Sequence, residues 1–318
     1  MNFNKVYFRG KQFGGLRLLR AYWKIGVGKT VTSQILKLVC KRATVDVAYA
    51  AIRQKVNKKL QRKYFPYLQS RKEYYEYHDL AHSRSNKVWT CWLQGFDHAP
   101  ELVRKCHDSW KQYLKDKEII QLTYDNYKDY VTLPEHIVQR YEGGQMPPAL
   151  FSDLLRLEVL IKYGGTWMDA SILCTGSNPY PEIMDCDLFM FQAFQKDEYK
   201  FLGISNWFIT SCSNNKLLMI LRDVLYQYWK DYDCTLDYYM FHDLFYTIGN
   251  MYPEDIAAMP RKNRLLPLML MQRIGDKYDE IWMKKLTYRC CLHKLNYRLS
   301  EAVLNDNGNF YHVVTHNV

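Results

Sequence analysis

Apolar and basic residues alternate on a helical period in the first part of the chain. In the segments 16–25 and 35–42, leucine, isoleucine and valine recur every three or four residues with lysine and arginine between them. This period predicts two amphipathic helices. A basic helix with an interfacial tryptophan, here Trp23, is typical of a segment that lies on a membrane surface. The alternative is that both helices pack their apolar faces on the rest of the protein.

From residue 86 onward, short β-prone apolar runs alternate with longer amphipathic stretches. Strands are predicted at 88–93, 118–123, 166–168, 188–192 and 207–210. Helices are predicted at 99–113, 134–141, 149–163, 215–229 and 236–248. This alternation predicts an α/β sandwich around a mostly parallel central sheet. The polar segment 82–86 predicts a boundary between a basic helical N-terminal region, 1–85, and a second domain, 86–318.

The positive charge of the chain is concentrated in the same N-terminal region. The 318 residues carry a net charge of +11, and residues 1–85 alone hold 19 Lys and Arg against 4 Asp and Glu. A second basic excess lies between Arg261 and Arg298. An anionic membrane surface, a nucleic acid or an anionic substrate would suit this distribution. We expect a membrane surface, because apolar residues accompany the basic ones, and no nucleic acid, because no recognition motif is present.

Other features argue against a membrane-spanning or a secreted protein. No run approaches the roughly 18 consecutive apolar residues of a membrane-spanning helix. The first ten residues do not resemble a signal peptide, and the nine cysteines include no Cys-x-x-Cys pair. We therefore expect a cytoplasmic protein, peripheral on the inner face of the cell membrane. Residues 26–30 imitate the end of a P-loop, but Trp23 stands where that loop requires glycine.

The stretch 151–171 carries the candidate chemistry. Asp153 and Arg156 are three residues apart, so they share one face of the predicted helix, clear of its apolar stripe. The glycine pair 164–165 ends that helix, and Asp169 follows the next strand, at the edge where open α/β sheets bind ligands. A carboxylate there can hold a divalent cation against a diphosphate. The alternatives are a turn cap for Asp169 and a structural ion pair for the other two residues.

Five motifs appear in a definite order along the second domain. They are Trp89-x-x-Trp92-x-Gln94-Gly95, Ala99-Pro100-Glu101-Leu102-Val103, Asp125-Asn126-Tyr127, Ser152-Asp153-x-x-Arg156 and Gly164-Gly165-x-Trp167-x-Asp169-Ala170. In this order they resemble glycosyltransferases of the GT-A fold, most closely the capsular polysaccharide synthesis group, which is related to glycosyltransferase family thirty-two. The resemblance covers roughly residues 86–315 and implies a GT-A, Rossmann-like catalytic domain.

The resemblance implies a set of donor-binding residues. They are Trp92 and Gln94 for the uridine, Ser152, Asp153 and Arg156 for the sugar, and Asp169, Ala170 and Lys294 for the diphosphate. The implied cofactor is Mn²⁺ or Mg²⁺, with Asp169, Ser171 and His293 as metal ligands. Ser171 stands where the Asp-x-Asp motif has its second carboxylate, a departure that weakens the expected metal site. A structural role in the core is the alternative for His293.

The related family retains the anomeric configuration of the sugar. Retention requires a carboxylate nucleophile or a front-side attack assisted by the leaving diphosphate. Asp169 then contributes to catalysis by stabilising the departing UDP. Further catalytic candidates for lining the reacting face are Asn206, and Asp237 and Asp243 on one predicted helix.

The sequence therefore predicts a UDP-sugar-dependent hexosyltransferase of bacterial capsular or surface polysaccharide synthesis. We expect transfer of galactose or glucose from a UDP-hexose to a lipid-diphosphate-linked glycan acceptor. The alternative is a non-catalytic carbohydrate- or lipid-binding protein on the same fold.

Overall fold

The computed structural model describes residues 15–78, 80–176, 181–193 and 203–316. The chain divides into two compact units. The helical unit consists of Met1–Leu80, Thr132–Leu157 and Lys216–Tyr252, and the sheet unit consists of Ala81–Val131, Glu158–Asn215 and Pro253–Val318. The first segment of the helical unit ends near the boundary predicted at residue 85, but two later segments also belong to this unit. A functional division at residue 85 stays a prediction.

The helices and strands follow one another along the described ranges. The helices are α1 (Leu16–Lys24), α2 (Gly28–Val39), α3 (Val45–Tyr77), α4 (Glu101–Tyr113), α5 (Tyr127–Tyr130), α6 (Glu135–Glu142), α7 (Pro148–Tyr163), α8 (Pro181–Met184), α9 (Lys216–Asp231), α10 (Met240–Met251), α11 (Pro253–Ala258), α12 (Leu265–Arg273), α13 (Glu280–Arg289), α14 (Glu301–Leu304) and α15 (Phe310–His316). The strands are β1 (Lys87–Cys91), β2 (Glu118–Leu122), β3 (Gly165–Met168), β4 (Ile172–Cys174), β5 (Leu188–Gln192), β6 (Ile204–Ser211) and β7 (Leu292–Lys294).

The main sheet of the sheet unit has the strand order β2-β1-β3-β6-β5 in the described residues. Strand β1 is parallel to both β2 and β3, while β6 is antiparallel to β3 and to β5. Strand β5 therefore runs in the direction of β3, and β6 alone among these strands is reversed. The prediction of a mixed α/β protein with a mostly parallel central sheet is confirmed.

The central strand β3 lies unusually close to its neighbour β1. Gly164 ends α7 and Gly165 opens β3, with φ angles of +67° and +97°. A Cβ atom at Gly165 would meet the backbone carbonyl of Lys87 in β1. Trp89 of β1 donates its indole N–H to the Gly164 carbonyl at 2.9 Å. Glycine is needed here both for the left-handed backbone and for the approach of the two strands.

A two-stranded ribbon brings the C-terminal part of the chain beside the end of β3. Strands β4 and β7 are antiparallel, with Ile172 opposite Lys294 and Leu173 opposite His293. The Leu295 amide continues the ladder by donating to the Ser171 carbonyl at 2.8 Å. The ribbon packs against α4, where Trp110 donates to the Ile172 carbonyl at 2.6 Å.

The helical unit is built around the 33-residue helix α3. This helix begins after Thr44, whose hydroxyl accepts from the Val47 amide at 3.4 Å. Its buried face packs on α9 and α10. There Tyr64 donates to Asp231 at 2.9 Å and Tyr75 donates to Asp223 at 2.8 Å. None of the described helices, α3 included, is long and apolar enough to cross a membrane.

The predicted helix 236–248 begins later than its apolar pattern indicates. The residues before α10 form a loop, because the Tyr228 hydroxyl binds this segment: it donates to the Cys234 carbonyl at 2.6 Å and accepts from the Leu236 amide at 2.9 Å. Asp237 accepts from the Tyr239 amide at 2.8 Å. The expectation that Asp237 and Asp243 share one helix is therefore wrong, since only Asp243 lies on α10.

The geometry of Gly165 predicts a large stability effect for one methyl group. Gly165→Ala should lower the free energy of unfolding by about 3 kcal/mol, because the new Cβ meets the β1 backbone and the φ angle is strained. The matched control is Gly144→Ala, at a φ of +65° with no atom within 4 Å of the added Cβ. It should cost about 1 kcal/mol. Urea unfolding of both variants measures this, and equal losses would contradict the packing argument.

Candidate functional site

The candidate site of the sheet unit begins at Asp169, directly after β3. Its backbone amide donates to the Trp207 carbonyl of β6 at 2.9 Å, which extends the strand pairing by one residue. One carboxylate oxygen, Oδ1, accepts the indole N–H of Trp167 at 2.9 Å. The carboxylate is therefore held at the carboxyl end of the central strand, where the sequence placed it.

Lys294 of β7 joins Asp169 to Ser171. The Lys294 ammonium donates to Asp169 Oδ2 at 3.0 Å and to Ser171 Oγ at 2.7 Å. The side chains of Lys294 and Asp169 are 19% and 26% exposed, so the ion pair is partly shielded from water. Three residues that the sequence analysis selected are thus in direct contact, and the β4–β7 ribbon is what brings them together.

This cluster has the chemistry of an anion site. An ammonium group has three N–H donors, and two acceptors of the described residues use two of them. The third remains for a phosphate or carboxylate oxygen of a ligand. A charge-assisted hydrogen bond of this kind is stronger than a neutral one and gains further from partial exclusion of water.

The cluster also supplies two of the oxygen atoms that a metal site would need. Mg²⁺ and similar ions are often bound by one or two carboxylates together with the phosphates of a substrate. Asp169 supplies one carboxylate, and Ser171 supplies a hydroxyl in place of a second. In the described parts of the chain, no three His, Cys, Asp or Glu side chains are grouped to hold a metal ion by themselves. The donor set therefore fits a substrate-assisted metal ion and does not form a closed metal centre.

His293 lies on the opposite face of β7 from Lys294, because side chains alternate along a strand. Its ring is fully buried, and Nε2 is 3.0 Å from the Thr175 hydroxyl. Burial lowers the pKa of His293 to about 4, so the ring is neutral near pH 7. No described contact joins it to Asp169, and its role as a metal ligand stays a prediction.

An aromatic pair joins the loop after β1 to the segment after β7. Trp92 packs edge-on against Tyr297 at 5.1 Å between ring centroids. Both side chains are half-buried against the apolar cluster that contains Ala170. Gln94 follows in the same β1 loop and is exposed. Trp92, Gln94 and Ala170 were predicted from the sequence, whereas Tyr297 was not, since its only signal was its position three residues after Lys294.

Asn206 belongs to the same edge of the sheet as Asp169. It precedes Trp207, the residue whose carbonyl accepts from the Asp169 amide, and its side chain is half-buried. The antiparallel pairing of β3 with β6 produces this proximity, because Met168 lies opposite Phe208. A catalytic role for Asn206 stays a prediction.

The predicted sugar-binding residues lie on α7 in the helical unit. Arg156 forms an ion pair with Asp153 at 3.2 Å, and both side chains are buried. Ser152 beside them is half-buried. The helix is buried on every side at this point, because residues 153–157 are all buried. Charges are rarely placed in such surroundings without a partner, and each of these two has the other.

Arg53 of α3 binds both predicted catalytic carboxylates of the helical unit. Its guanidinium lies 3.2 Å from Asp237 and 3.4 Å from Asp243, and it stacks on the Tyr239 ring at 4.4 Å from the centroid. Burial raises the pKa of Asp237. Burial and the neighbouring Asp237 raise the pKa of Asp243 to about 6. No sequence pattern indicates that an arginine some 190 residues earlier pairs with these groups.

The fold and the site define an α/β protein with a lysine–carboxylate cluster at the carboxyl end of its central strand. The chain belongs to the capsular polysaccharide synthesis protein family, whose model matches residues 39–313. The resemblance predicted from the five motifs is thereby confirmed. The match begins at the last residue of α2, so it includes α3 and excludes α1.

Comparison with curated sequences gives no match. Among solved structures, the chain is similar to one titled "PaToxG Glycosyltransferase" at a TM-score of 0.37 and 12% sequence identity. The similarity covers 83% of this chain and 96% of the other.

The raised pKa of Asp243 predicts a pH-dependent contribution to stability. In the folded protein this carboxyl keeps its proton up to about pH 6, whereas the unfolded chain loses it near pH ~4. The contribution is therefore fully present below about pH 4 and is lost as the pH rises through 6. Asp243→Asn should remove about 1.4 kcal/mol of the difference in unfolding free energy between pH 5 and pH 7.5, because about one pKa unit of the shift is titrated in that range.

Chemical denaturation at the two pH values measures this difference. The matched control is Asp116→Asn, at a carboxylate on the surface of the protein. It should leave the difference as it is in the unaltered chain. A pH dependence that is the same in all three proteins would show that Asp243 does not titrate in this range.

Proposed function

We propose that the chain is a retaining glycosyltransferase of the GT-A fold. It transfers galactose or glucose from a UDP-hexose to a lipid-diphosphate-linked glycan acceptor during synthesis of a capsular or surface polysaccharide. The observation that carries the proposal is the cluster of Asp169, Ser171 and Lys294 at the ligand-binding edge of the sheet. Membership of the capsular polysaccharide synthesis family supplies the biological context.

Lys294 is the group that assists the chemical step. When the bond between the anomeric carbon and the β-phosphate oxygen breaks, negative charge develops on the departing UDP. An ammonium already oriented by Asp169 and Ser171 stabilises that charge without reorganising. In a front-side attack, the same phosphate oxygen accepts the proton of the acceptor hydroxyl, and the acceptor oxygen bonds to the anomeric carbon. The products are the glycoside and UDP.

Mn²⁺ or Mg²⁺ belongs to the proposal as a cofactor bound with the donor. Asp169 and Ser171 would hold it, and it would add positive charge beside the diphosphate. Lys294 supplies one positive charge from the protein itself, so we expect the cation to increase turnover rather than to be indispensable.

The aromatic pair suits the nucleoside end of the donor. Trp92 and Tyr297 offer half-buried ring surfaces in the loop region next to Asp169, and stacking on such surfaces is a common way to bind a base. Gln94 is exposed in the same loop and has the donor and acceptor groups that uracil requires. Asn206 is proposed to line the reacting face.

No step of this mechanism is assigned to the predicted residues of the helical unit. Asp153 has an arginine partner in Arg156, and Asp237 and Asp243 share Arg53. These pairs account for the charges by structural contacts. Sugar binding by Ser152, Asp153 and Arg156 stays a prediction from the resemblance.

One observation favours a second candidate function. Ser171 provides a hydroxyl where an Asp-x-Asp motif provides a carboxylate, which reduces the capacity for metal binding. A protein that binds a nucleotide sugar or glycan without turnover would tolerate this change. Such a protein would bind UDP and release none from any donor.

The first experiment measures UDP release from a panel of UDP-hexoses, with Mn²⁺ and with EDTA. We expect release from one donor, and a loss of about 100-fold in Lys294→Met and in Asp169→Asn, since both remove part of the charge stabilisation of the leaving group. Lys294→Arg should retain more activity than Lys294→Met because it keeps the positive charge.

The matched control is Lys284→Met, which removes a lysine that is exposed on α13 of the same unit. It should release UDP at the rate of the unaltered chain. Isothermal titration with UDP separates the two candidate functions: binding without release from any donor supports the non-catalytic protein. Release that is unaffected by both Lys294→Met and Asp169→Asn would overturn the assignment of the site.

A further inference from the structure

Large apolar side chains are exposed in unusual density on α1 and α2. Six of them are between 42% and 75% exposed: Leu16, Leu19, Trp23, Ile35, Leu36 and Val39. Isolated exposed apolar residues are common on proteins, but six on two helices in contact with each other indicate an interaction surface.

The exposed residues of α1 lie opposite its packed face. Leu16, Leu19 and Trp23 have the spacing i, i+3 and i+7, which places them on one side of the helix. Ala21 is buried on the other side, and Tyr22 beside it donates from its hydroxyl to the Leu236 carbonyl at 3.4 Å. The apolar stripe is therefore left over after the helix has packed on its own unit.

Helix α2 repeats this arrangement. Val31 and Gln34 are buried, whereas Ile35, Leu36 and Val39 point outward. The turn between the two helices is held tightly, because a Cβ at Gly28 would collide with the Trp23 indole. Trp23 thus rests on the start of α2 and is still 59% exposed. The two helices form a defined hairpin with an outward apolar surface.

The charge around this surface has a single sign. Residues 15–45 contain seven basic residues and no acidic one. They are Arg17, Arg20, Lys24, Lys29, Lys37, Lys41 and Arg42. Three basic residues of α3, by contrast, pair with carboxylates of other segments: Arg53 with Asp237, Lys63 with Asp231 and Arg71 with Asp223. Within the described residues, no carboxylate is within ion-pair distance of the seven basic residues of the hairpin.

This combination selects one kind of partner. A nucleic acid would match the charge but would not cover leucine, isoleucine and valine side chains. A second copy of the chain would bring the same positive charge, and like charges across an interface are unfavourable. An anionic lipid surface satisfies both features, since basic side chains meet the headgroups while apolar ones enter the interfacial region.

We infer that the α1–α2 hairpin docks on an anionic membrane surface by inserting Leu16, Leu19, Trp23, Ile35, Leu36 and Val39 between the headgroups. The hairpin lies almost entirely outside the family match, which begins at residue 39. The inference goes beyond the proposed function and does not depend on it, because vesicle binding requires no sugar donor.

The test is co-sedimentation of the full chain with two kinds of vesicle, phosphatidylcholine alone and phosphatidylcholine with phosphatidylglycerol. We expect binding to the anionic vesicles only. Leu16→Ser combined with Leu36→Ser and Val39→Ser should weaken it at least tenfold, because three exposed anchors are removed. These positions leave Trp23 and its packing on Gly28 intact, and circular dichroism verifies the fold.

A second set of variants tests the charge. Arg17→Gln combined with Arg20→Gln and Lys37→Gln should lower the partition coefficient about 100-fold. Each basic residue near an anionic surface contributes about fivefold to binding, and the three factors multiply. The matched controls are Lys111→Gln with Lys115→Gln and Lys284→Gln, and Tyr77→Ser with Ile281→Ser and Leu304→Ser. Both control sets change exposed residues elsewhere and should bind the vesicles as the unaltered chain does.

Three results would overturn the inference. They are equal binding to both kinds of vesicle, undiminished binding by the hairpin variants, and self-association of the unaltered chain that the apolar variant abolishes. The last result would assign the surface to a second copy.

UDP release in the absence of vesicles should be the same in the hairpin variants and the unaltered chain. A failed membrane test is therefore distinguishable from a failed enzyme assignment.

Discussion

The close approach of β1 and β3 at Gly165 is the constraint on which the candidate site depends. With a φ of +97° and no room for a Cβ, this residue lets the chain leave α7 and enter the centre of the sheet at once. Strand β3 has only four residues, so any displacement at its start reaches Asp169 at its end. Backbone geometry thus brings the carboxylate to this edge of the sheet.

The Asp169 carboxylate is then oriented from three directions. Its amide is bound to β6, one oxygen is bound to the Trp167 indole, and the other is bound to Lys294. These partners come from different strands, so the carboxylate can reorient only if several elements move together. The Lys294 ammonium is thereby fixed in place, which is the preorganisation that the proposed stabilisation of the leaving group requires.

The basic residues of the α1–α2 hairpin and those of α3 differ in the groups that surround them. Basic residues of α3 bind the acidic side chains of α9 and of the segment that leads into α10, and so contribute to the folding of the helical unit. The basic residues of the α1–α2 hairpin make no such pairs among the described residues and surround exposed apolar side chains. Net charge alone does not separate these cases, since +15 over residues 1–85 is compatible with both. Only the positions of the acidic partners distinguish a folding role from an interaction surface.

Periodicity in the sequence determined the five strands of the main sheet and helix α4, because hydrophobic burial imposes period 2 on strands and period 3.6 on helices. The short strands β4 and β7 and the helices after α10 were not predicted, because they are too short or too irregular to show a clear period. The glycine pair and the carboxylate after β3 were also predictable, since a sharp helix-to-strand turn leaves few alternatives to glycine. Tertiary structure alone decided that Lys294 reaches Asp169, that Tyr297 packs on Trp92, and that Arg53 binds Asp237. Each of these contacts joins residues more than 120 positions apart. Local spacing carries no information about such pairs, because strand order and helix packing bring them together.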